Sequence, residues 1–475
     1  MRRSTEAFEV PRPGHCSDLR PDGRSPPATA CAGRRWRLRS TRHRRQPPRC
    51  GTISRTSLER EKHLTFDSCL IRPFAGLRPR SADAAAVAAP PYDVLSSDEA
   101  RQAAAGKPLS FLHVSKAEID LPPEVDHYAP EVYARSTMNF RRLIDDGVLC
   151  RDPRPYYYAY RLVMGEHVQT GLVAAASIAA YDSNRIRRHE FTRPDKEDDR
   201  VRQIEALNAQ TGPVLLAHPD DPQAERLLAM ATGQSPLADL TAVDGIRHTL
   251  WLIDDDADMA RISTVFGAMP ALYIADGHHR SAAASRVAAA RRQGGKGGAD
   301  SFLAVIFPAR QMRILDYNRV VSDLNGLDVE DFLRAVGERY RVSLADGPLR
   351  PECSGVCGMY LAGRWYRLQV RPELVPLADA VRRLDVSVLA EQILEPVLGI
   401  SDLRRDRRID FVGGMRGLGE LERRVDRGEM AVAFAMYPTQ MAELMAVADM
   451  GQVMPPKSTW FEPKLADGLV SLMLD

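Results

Sequence analysis

The sequence predicts an α/β fold, with α+β as the alternative, built from mixed sheets with flanking helices. Three observations predict it. Short apolar runs of strand length alternate irregularly with amphipathic stretches of helix length from residue 67 to the end, without the regular spacing of a doubly wound sheet. One segment, Ala271 to Arg286 (ALYIADGHHRSAAASR), reads as strand, tight turn and alanine-rich helix. Residues 1–66, in contrast, hold 15 arginines, one lysine, many prolines and no apolar periodicity, so they are expected to be a disordered leader.

The net charge of +2 hides an asymmetry: residues up to Lys62 carry 16 Lys and Arg against 6 Asp and Glu, and the remainder carries 49 against 57, a net of −8. An acidic body with no basic stripe argues against nucleic acid as the main partner. No run of eighteen apolar residues is present, so no membrane partner is expected. Four scattered cysteines in the body suit reduced thiols and a cytoplasmic location. The leader lacks the apolar core of a signal peptide and reads best as a start placed upstream of the true one.

Taken in order, the elements begin at Cys69 with a strand through IRPFAGLRP, a rigid Pro90-Pro91 turn carrying Tyr92-Asp93, and a helix capped by Ser96 or Ser97. Residues 109–114 (LSFLHV) read as a strand and 131–146 as a helix. Residues 155–164 and 169–180 form a hairpin around Gly165-Glu166. A strand at 214–217, a helix at 225–232, a strand at 247–253 and a helix at 256–269 lead to the motif. Residues 294–298 form a linker, and 301–308 and 315–324 are strands. A helix at 329–340, strands at 341–344, 358–361 and 365–370, a helix at 386–398 capped by Asp385, and a strand at 431–437 complete the chain. The expected division is a leader (1–66), an α/β domain ending in the DGHHR motif (67–290) and a second α/β subdomain (291–475) that closes the site.

Three polar clusters stand out. In Asp276-Gly277-His278-His279-Arg280 a glycine able to take positive φ opens a helix whose N–H groups and dipole favour an anion. Residues 186–200 (IRRHEFTRPDKEDDR) pack ten charges into fifteen positions; a solvated face is the ordinary reading. However, His189-Glu190 leaves a strand end as an acid/base pair would, and Arg193, Asp195 and Lys196 offer anion donors and a carboxylate. Residues 454–464 (MPPKSTWFEPK) set Lys457, Ser458, Thr459 and Lys464 in a proline-pinned loop that suits a phosphate or carboxylate, or docking of the terminus. Asp93, His189, Arg193, Arg247 and His248 are candidate substrate contacts.

The segments AAPPYDV, FLHV, RHE with TRPDKEDDR, DGIRHTLW, YIADGHHRSAAA, YNRVVSDLNG, RIDFVGG, AFAMYPT and MPPKSTWFEPKL together resemble the prokaryotic, largely bacterial family called domain of unknown function 1015, over about Cys69 to Leu474. YIADGHHRSAAA is also similar to the phosphate-binding strand-turn-helix of the ParB/sulfiredoxin superfamily, which includes free serine kinases. That resemblance implies a nucleotide site in which Asp276 contacts metal or the substrate hydroxyl, Gly277 admits a phosphate, and His278, His279 and Arg280 hold the phosphates. ATP or ADP with Mg would be the cofactor, with Asp276 or Asp195 on the metal. Serine or phosphoserine would be the small-molecule partner.

Phosphoryl transfer needs positive charge around the transferred group and a carboxylate to orient or deprotonate the acceptor. Glu190, Asp276 and His279 are therefore the candidate catalytic residues, with Glu190 as base. Gly277, His278, Arg280, Lys196, Lys457, Ser458, Thr459 and Lys464 are candidates for binding phosphate. The expected function is a nucleotide-dependent phosphotransferase on a small hydroxyl substrate. The alternatives are a metal-dependent phosphohydrolase using His278 and His279, and a non-catalytic nucleotide-binding regulator. Oligomeric state is not legible.

Overall fold

The structure, a computed structural model, describes residues 69–294 and 298–475; the expected leader and the middle of the 294–298 linker lie outside the described residues. Its main feature is a mixed sheet of nine strands. In chain order these are β1 (Ile71–Arg72), β2 (Tyr157–Met164), β3 (His167–Ser177), β4 (Ile186–Arg187), β5 (Val214–His218), β6 (Ala238–Thr241), β7 (Arg247–Ile253), β8 (Leu272–Asp276) and β9 (Ser301–Pro308). Neighbours run β4-β8-β5-β9-β3-β2-β7-β6, with β1 beside β3. Most pairs are antiparallel, but β4 runs parallel to β8 and β9 parallel to β5. The central strands are buried along their length, as VLLAH in β5 and SFLAVIFP in β9 require, since neither alternates polar with apolar residues.

Two helices cover this sheet near the motif. Helix α1 (Pro194–Leu207) starts with proline at its first position and ends on Asn208 in the left-handed conformation. Helix α2 (His278–Gln293) starts on Gly277 with φ 97° and packs against α1. Its alanines at 283, 284 and 288 are buried and allow close approach to neighbouring elements.

A second, wholly antiparallel sheet follows: β10 (Tyr317–Val321), β11 (Tyr340–Leu344), β12 (Val356–Leu361), β13 (Arg364–Val370), β14 (Ile409–Gly413) and β15 (Val432–Ala435), in the order β11-β13-β12-β15-β10-β14. The chain crosses the expected boundary at 290/291 repeatedly. Strand β9 lies inside the first sheet, and Ser471–Met473 pairs with Gly76–Pro79 and Ala209–Gln210. All described residues fall within one compact unit.

The α/β class is as read from the sequence. One element differs in type: LSFLHV is a helix at Leu112–Ser115, not a strand. A short apolar run carries too little periodicity to separate the two. Here the helix is held by Ser136 and Asn139, whose side chains donate to the carbonyls of Val114 and His113 at 2.6 and 2.7 Å. Asp385 is the first residue of its helix, not the cap, and its carboxylate accepts from the Gly355 N–H at 2.6 Å.

Candidate functional site

The parallel pairing of β4 with β8 sets Ile186 beside Leu272 and Arg187 beside Tyr273, so the two strands release their chains at the same edge. From β4 come Arg188 to Arg193, and from β8 come Asp276, Gly277 and the start of α2. A register irregularity between Ile274 and Asp276 re-aims the last residue of β8. Gly277 is needed at this turn for two reasons. Its φ is in the left-handed region, and a Cβ would lie 3.3 Å from the Val214 backbone.

The loop 454–464 closes over this edge. The Met454 N–H donates to the His189 carbonyl at 2.8 Å. Lys464 Nζ donates to Asp276 Oδ2 at 2.9 Å. On its other side the loop is tied to the second sheet: Arg319, fully buried in β10, donates to the Lys457 carbonyl at 3.1 Å, and the Thr439 hydroxyl donates to the Ser458 carbonyl at 2.9 Å. The three polar clusters of the sequence therefore meet.

They enclose two connected spaces. A cleft of about 1100 Å³ is lined by Tyr128, Arg193, Lys196, Arg200, His279 and Arg404, among others. A smaller pocket of about 290 Å³ is lined by His189, Asp276, Ser458, Thr459, Trp460 and Lys464, among others. Asp93, Glu190 and Lys457 line both.

Electrostatics differ between the groups. Burial works against the Asp276 charge, but Lys464 and Arg280 outweigh it and hold the carboxyl well below the usual range. Burial likewise opposes the Lys464 charge, and Asp276 reverses this, leaving the ammonium above its ordinary value. Glu190 is raised, first by desolvation of its carboxyl and then by Asp276, although 47 % of its side-chain surface remains open. His189, only 2 % exposed, is pushed down to about 4 by burial, and neither ring nitrogen has a well-formed hydrogen bond. His278 is buried beside it, the ring centroids 4.5 Å apart and perpendicular. Its Nε2 accepts weakly from the His189 N–H at 3.5 Å, while Nδ1 lies 3.9 Å from Glu190 Oε2.

His279 points elsewhere. Its Nε2 accepts from the Arg193 N–H at 3.1 Å, so the two adjacent histidines do not converge on one ion, as the phosphohydrolase alternative had required. Arg280 lies under the cleft, absent from the residues lining either space. It donates to the Pro213 carbonyl at 2.8 Å, pairs with Asp93 at 3.2 Å and stacks over the Tyr92 ring. It thus braces the Tyr92-Asp93 corner. Lys196 lines the cleft with its ammonium donating to Tyr128 Oη at 2.7 Å.

Three residues, Arg247, His248 and Asp195, lie outside the lining of both spaces. Arg247 pairs with Asp239 at 2.5 Å and His248 bonds Tyr160 Oη at 2.6 Å; neither lines the cleft, because four strands separate β7 from β8 in the sheet. Asp195 sits at the exposed start of α1, paired with Arg193 at 2.7 Å and outside the cleft lining. Asp276 accepts at its two oxygens from Lys464 and the Gly277 N–H. Each Asp276 oxygen keeps a second lone pair, so of the two carboxylates only Asp276, which lines the smaller pocket, fits the magnesium assignment. Among the described residues, His189, Glu190 and His278 have potential ligand atoms within 4.8 Å of one another.

Tyr128, Arg200, Arg404 and Trp460, which line the two spaces, are not among the site residues expected from the sequence, nor is the buried Asp467, which lines neither. Asp467 is 2 % exposed and pushed up to about 7, chiefly by burial, with Oδ1 unpartnered. A lone carboxylate in the apolar run LADGLV is the signal that could have marked it.

Residues 71–387 match the family described as "Protein of unknown function (DUF1015)". The chain belongs to that family. No curated protein matches it. Among solved structures, it is similar to a conserved hypothetical protein from Pyrococcus furiosus (14 % identity, 62 % of this chain and 95 % of that one, TM-score 0.31). It is also similar to a free serine kinase in complex with AMP (13 %, 62 % and 92 %, TM-score 0.30). A third is SbnI with C-terminal truncation from Staphylococcus aureus (12 %, 62 % and 85 %, TM-score 0.32). At such scores the likeness carries no argument about chemistry. For this member of the family, function is argued from the cleft. No helix among the described residues is long and apolar enough to cross a membrane.

Proposed function

We propose that this protein is a nucleotide-dependent phosphotransferase acting on a small hydroxyl compound of the free-serine kind. The observation that carries the reading is the pair of compartments that share Glu190 and Lys457. The larger space has the volume of a ligand of nucleotide size, and its lining includes Lys196, Arg404 and Lys457, while Arg193 and Arg200 are paired with Asp195 and Asp199. The smaller suits a molecule of a few heavy atoms. Asp276 and Lys464 pair with each other, so Glu190 is the carboxylate left for an ammonium group and Lys457 the lysine left for a carboxylate, which is the pattern an amino acid requires.

In this reading His279 and the first N–H groups of α2 face the phosphates, with the helix dipole favouring negative charge. Lys457, at the junction, stabilises charge on the transferred group. Glu190, at the same junction and with a raised pKa, orients the acceptor hydroxyl and takes its proton. ATP or ADP supplies the phosphoryl group.

The test is incubation with ATP or ADP and serine, with phosphoserine followed by 31P NMR. Phosphoserine made by the wild type and not by Glu190→Gln supports the reading. Nucleotide turnover that ignores serine and other small hydroxyl compounds sinks it.

A further inference from the structure

We propose that His189, Glu190 and His278 form a site for a divalent transition-metal ion of the zinc and cobalt class. It shares Glu190 with the phosphotransfer reading but does not depend on it, and it rests on two observations.

The first is geometry. The parallel strands β4 and β8 deliver two consecutive residues and the first residue of α2 to one point, with three potential ligand atoms within 4.8 Å of one another. Bonds of about 2.0–2.2 Å hold the ligands of one ion roughly 3–4 Å apart, so closure by about an ångström completes the set. Two imidazoles and one carboxylate suit a borderline cation over magnesium, which takes oxygen ligands.

The second is an unmet need. Both ring nitrogens of His189 are buried without a well-formed hydrogen bond, the Ile274 backbone offering only a weak contact. A histidine kept for packing alone would pair at least one of them, since an unsatisfied buried polar group costs on the order of 1–3 kcal/mol. The ring sits edge-on to His278, facing the same point as Glu190. Lys464, in the adjoining pocket, is already neutralised by Asp276. The His278 Nε2 contact, at 3.5 Å, is weak enough to yield when Nδ1 ligates.

The full chain, stripped with EDTA and free of nucleotide and serine, is titrated with Co2+ or Zn2+ by calorimetry, with the visible absorption of bound Co2+ as a second readout. One saturable ion per chain is expected. Loss of a mere second-layer partner costs 10–100-fold, so His189→Ala and His278→Ala should each weaken binding by at least about 100-fold. His279→Ala should leave it unchanged. Should His189→Ala not fold, Glu190→Gln, whose side chain is half exposed, should still weaken binding by at least about 10-fold. No saturable binding to the wild type, or affinity indifferent to these ligand substitutions, overturns the proposal. Because neither nucleotide nor serine is present, its failure is separate from failure of the phosphotransfer reading.

Discussion

Lys464 Nζ and Asp276 Oδ2, 188 residues apart in sequence, are bonded at 2.9 Å, and this contact joins the C-terminal loop to the Asp276-Gly277 turn. Breaking it should leave a carboxylate short of its partner. Because Asp276 keeps 33 % of its side-chain surface, the cost is discounted from the 3–5 kcal/mol of a fully buried pair to about 1–3 kcal/mol. Lys464→Met should therefore lower Tm by several degrees, and Lys464→Met with Asp276→Asn should recover part of the loss. The sign with pH follows from the depressed Asp276 pKa. The stabilisation is full above the unfolded value near 4 and is lost as pH falls through the folded value. Melts from pH 3 to 7 should show a larger difference between wild type and Lys464→Met at the neutral end.

Glu190→Gln should reduce phosphotransfer by about 10²–10⁴-fold with nucleotide affinity within about twofold, measured by 31P NMR and calorimetry. The raised Glu190 pKa adds a pH signature: the acid limb of the rate profile should fall at a pH above the ordinary glutamate range. A limb at or below that range would argue against Glu190 as the proton acceptor.

His279→Ala removes a cleft-lining ring and the acceptor of the Arg193 N–H. Nucleotide affinity should fall by about tenfold, the equivalent of one good hydrogen bond, with stability changed by about 1 kcal/mol or less. Calorimetry with ADP checks the first, a urea melt the second.

Gly277→Ala places a Cβ 3.3 Å from the Val214 backbone at a φ of 97°, where the neighbour is main chain and cannot swing aside. A cost of about 1–3 kcal/mol is expected in urea unfolding, together with loss of nucleotide binding because the turn must shift.

Asp467 titrates the other way from Asp276. Its folded pKa, pushed up to about 7 by burial, exceeds the unfolded value near 4, so stability is lost as pH rises from 4 to 7. Asp467→Asn should flatten that part of the stability curve, which thermal melts across the interval would reveal. An unchanged slope would place the titrating group elsewhere.

Much of the local structure was legible in the sequence. The hairpin around Gly165-Glu166, the helix start capped at Ser96 or Ser97, which the structure resolves to Ser96, and the turn at Asp276-Gly277 all follow from residues within a few positions of one another. Their causes are turn chemistry, capping and side-chain periodicity, which are local. The polar clusters at 186–200, 276–280 and 454–464 were visible for the same reason, since density of charge is a local property. Misreadings arose where a local pattern was ambiguous or a partner was remote. LSFLHV is a helix because Ser136 and Asn139 hold it, and Arg247 is removed from the site by the sheet order.

What the sequence by itself determined is therefore the class of fold, the punctuation of its elements and the chemical character of each cluster. Only the tertiary structure decided that Glu190 and Lys457 line two compartments together, that Asp276 is paired with Lys464, and that His278 turns to His189 while His279 turns to Arg193. Those outcomes depend on strand order and register, above all the parallel pairing of β4 with β8. Register between distant strands is set by the packing of the whole sheet, which no short window of residues contains.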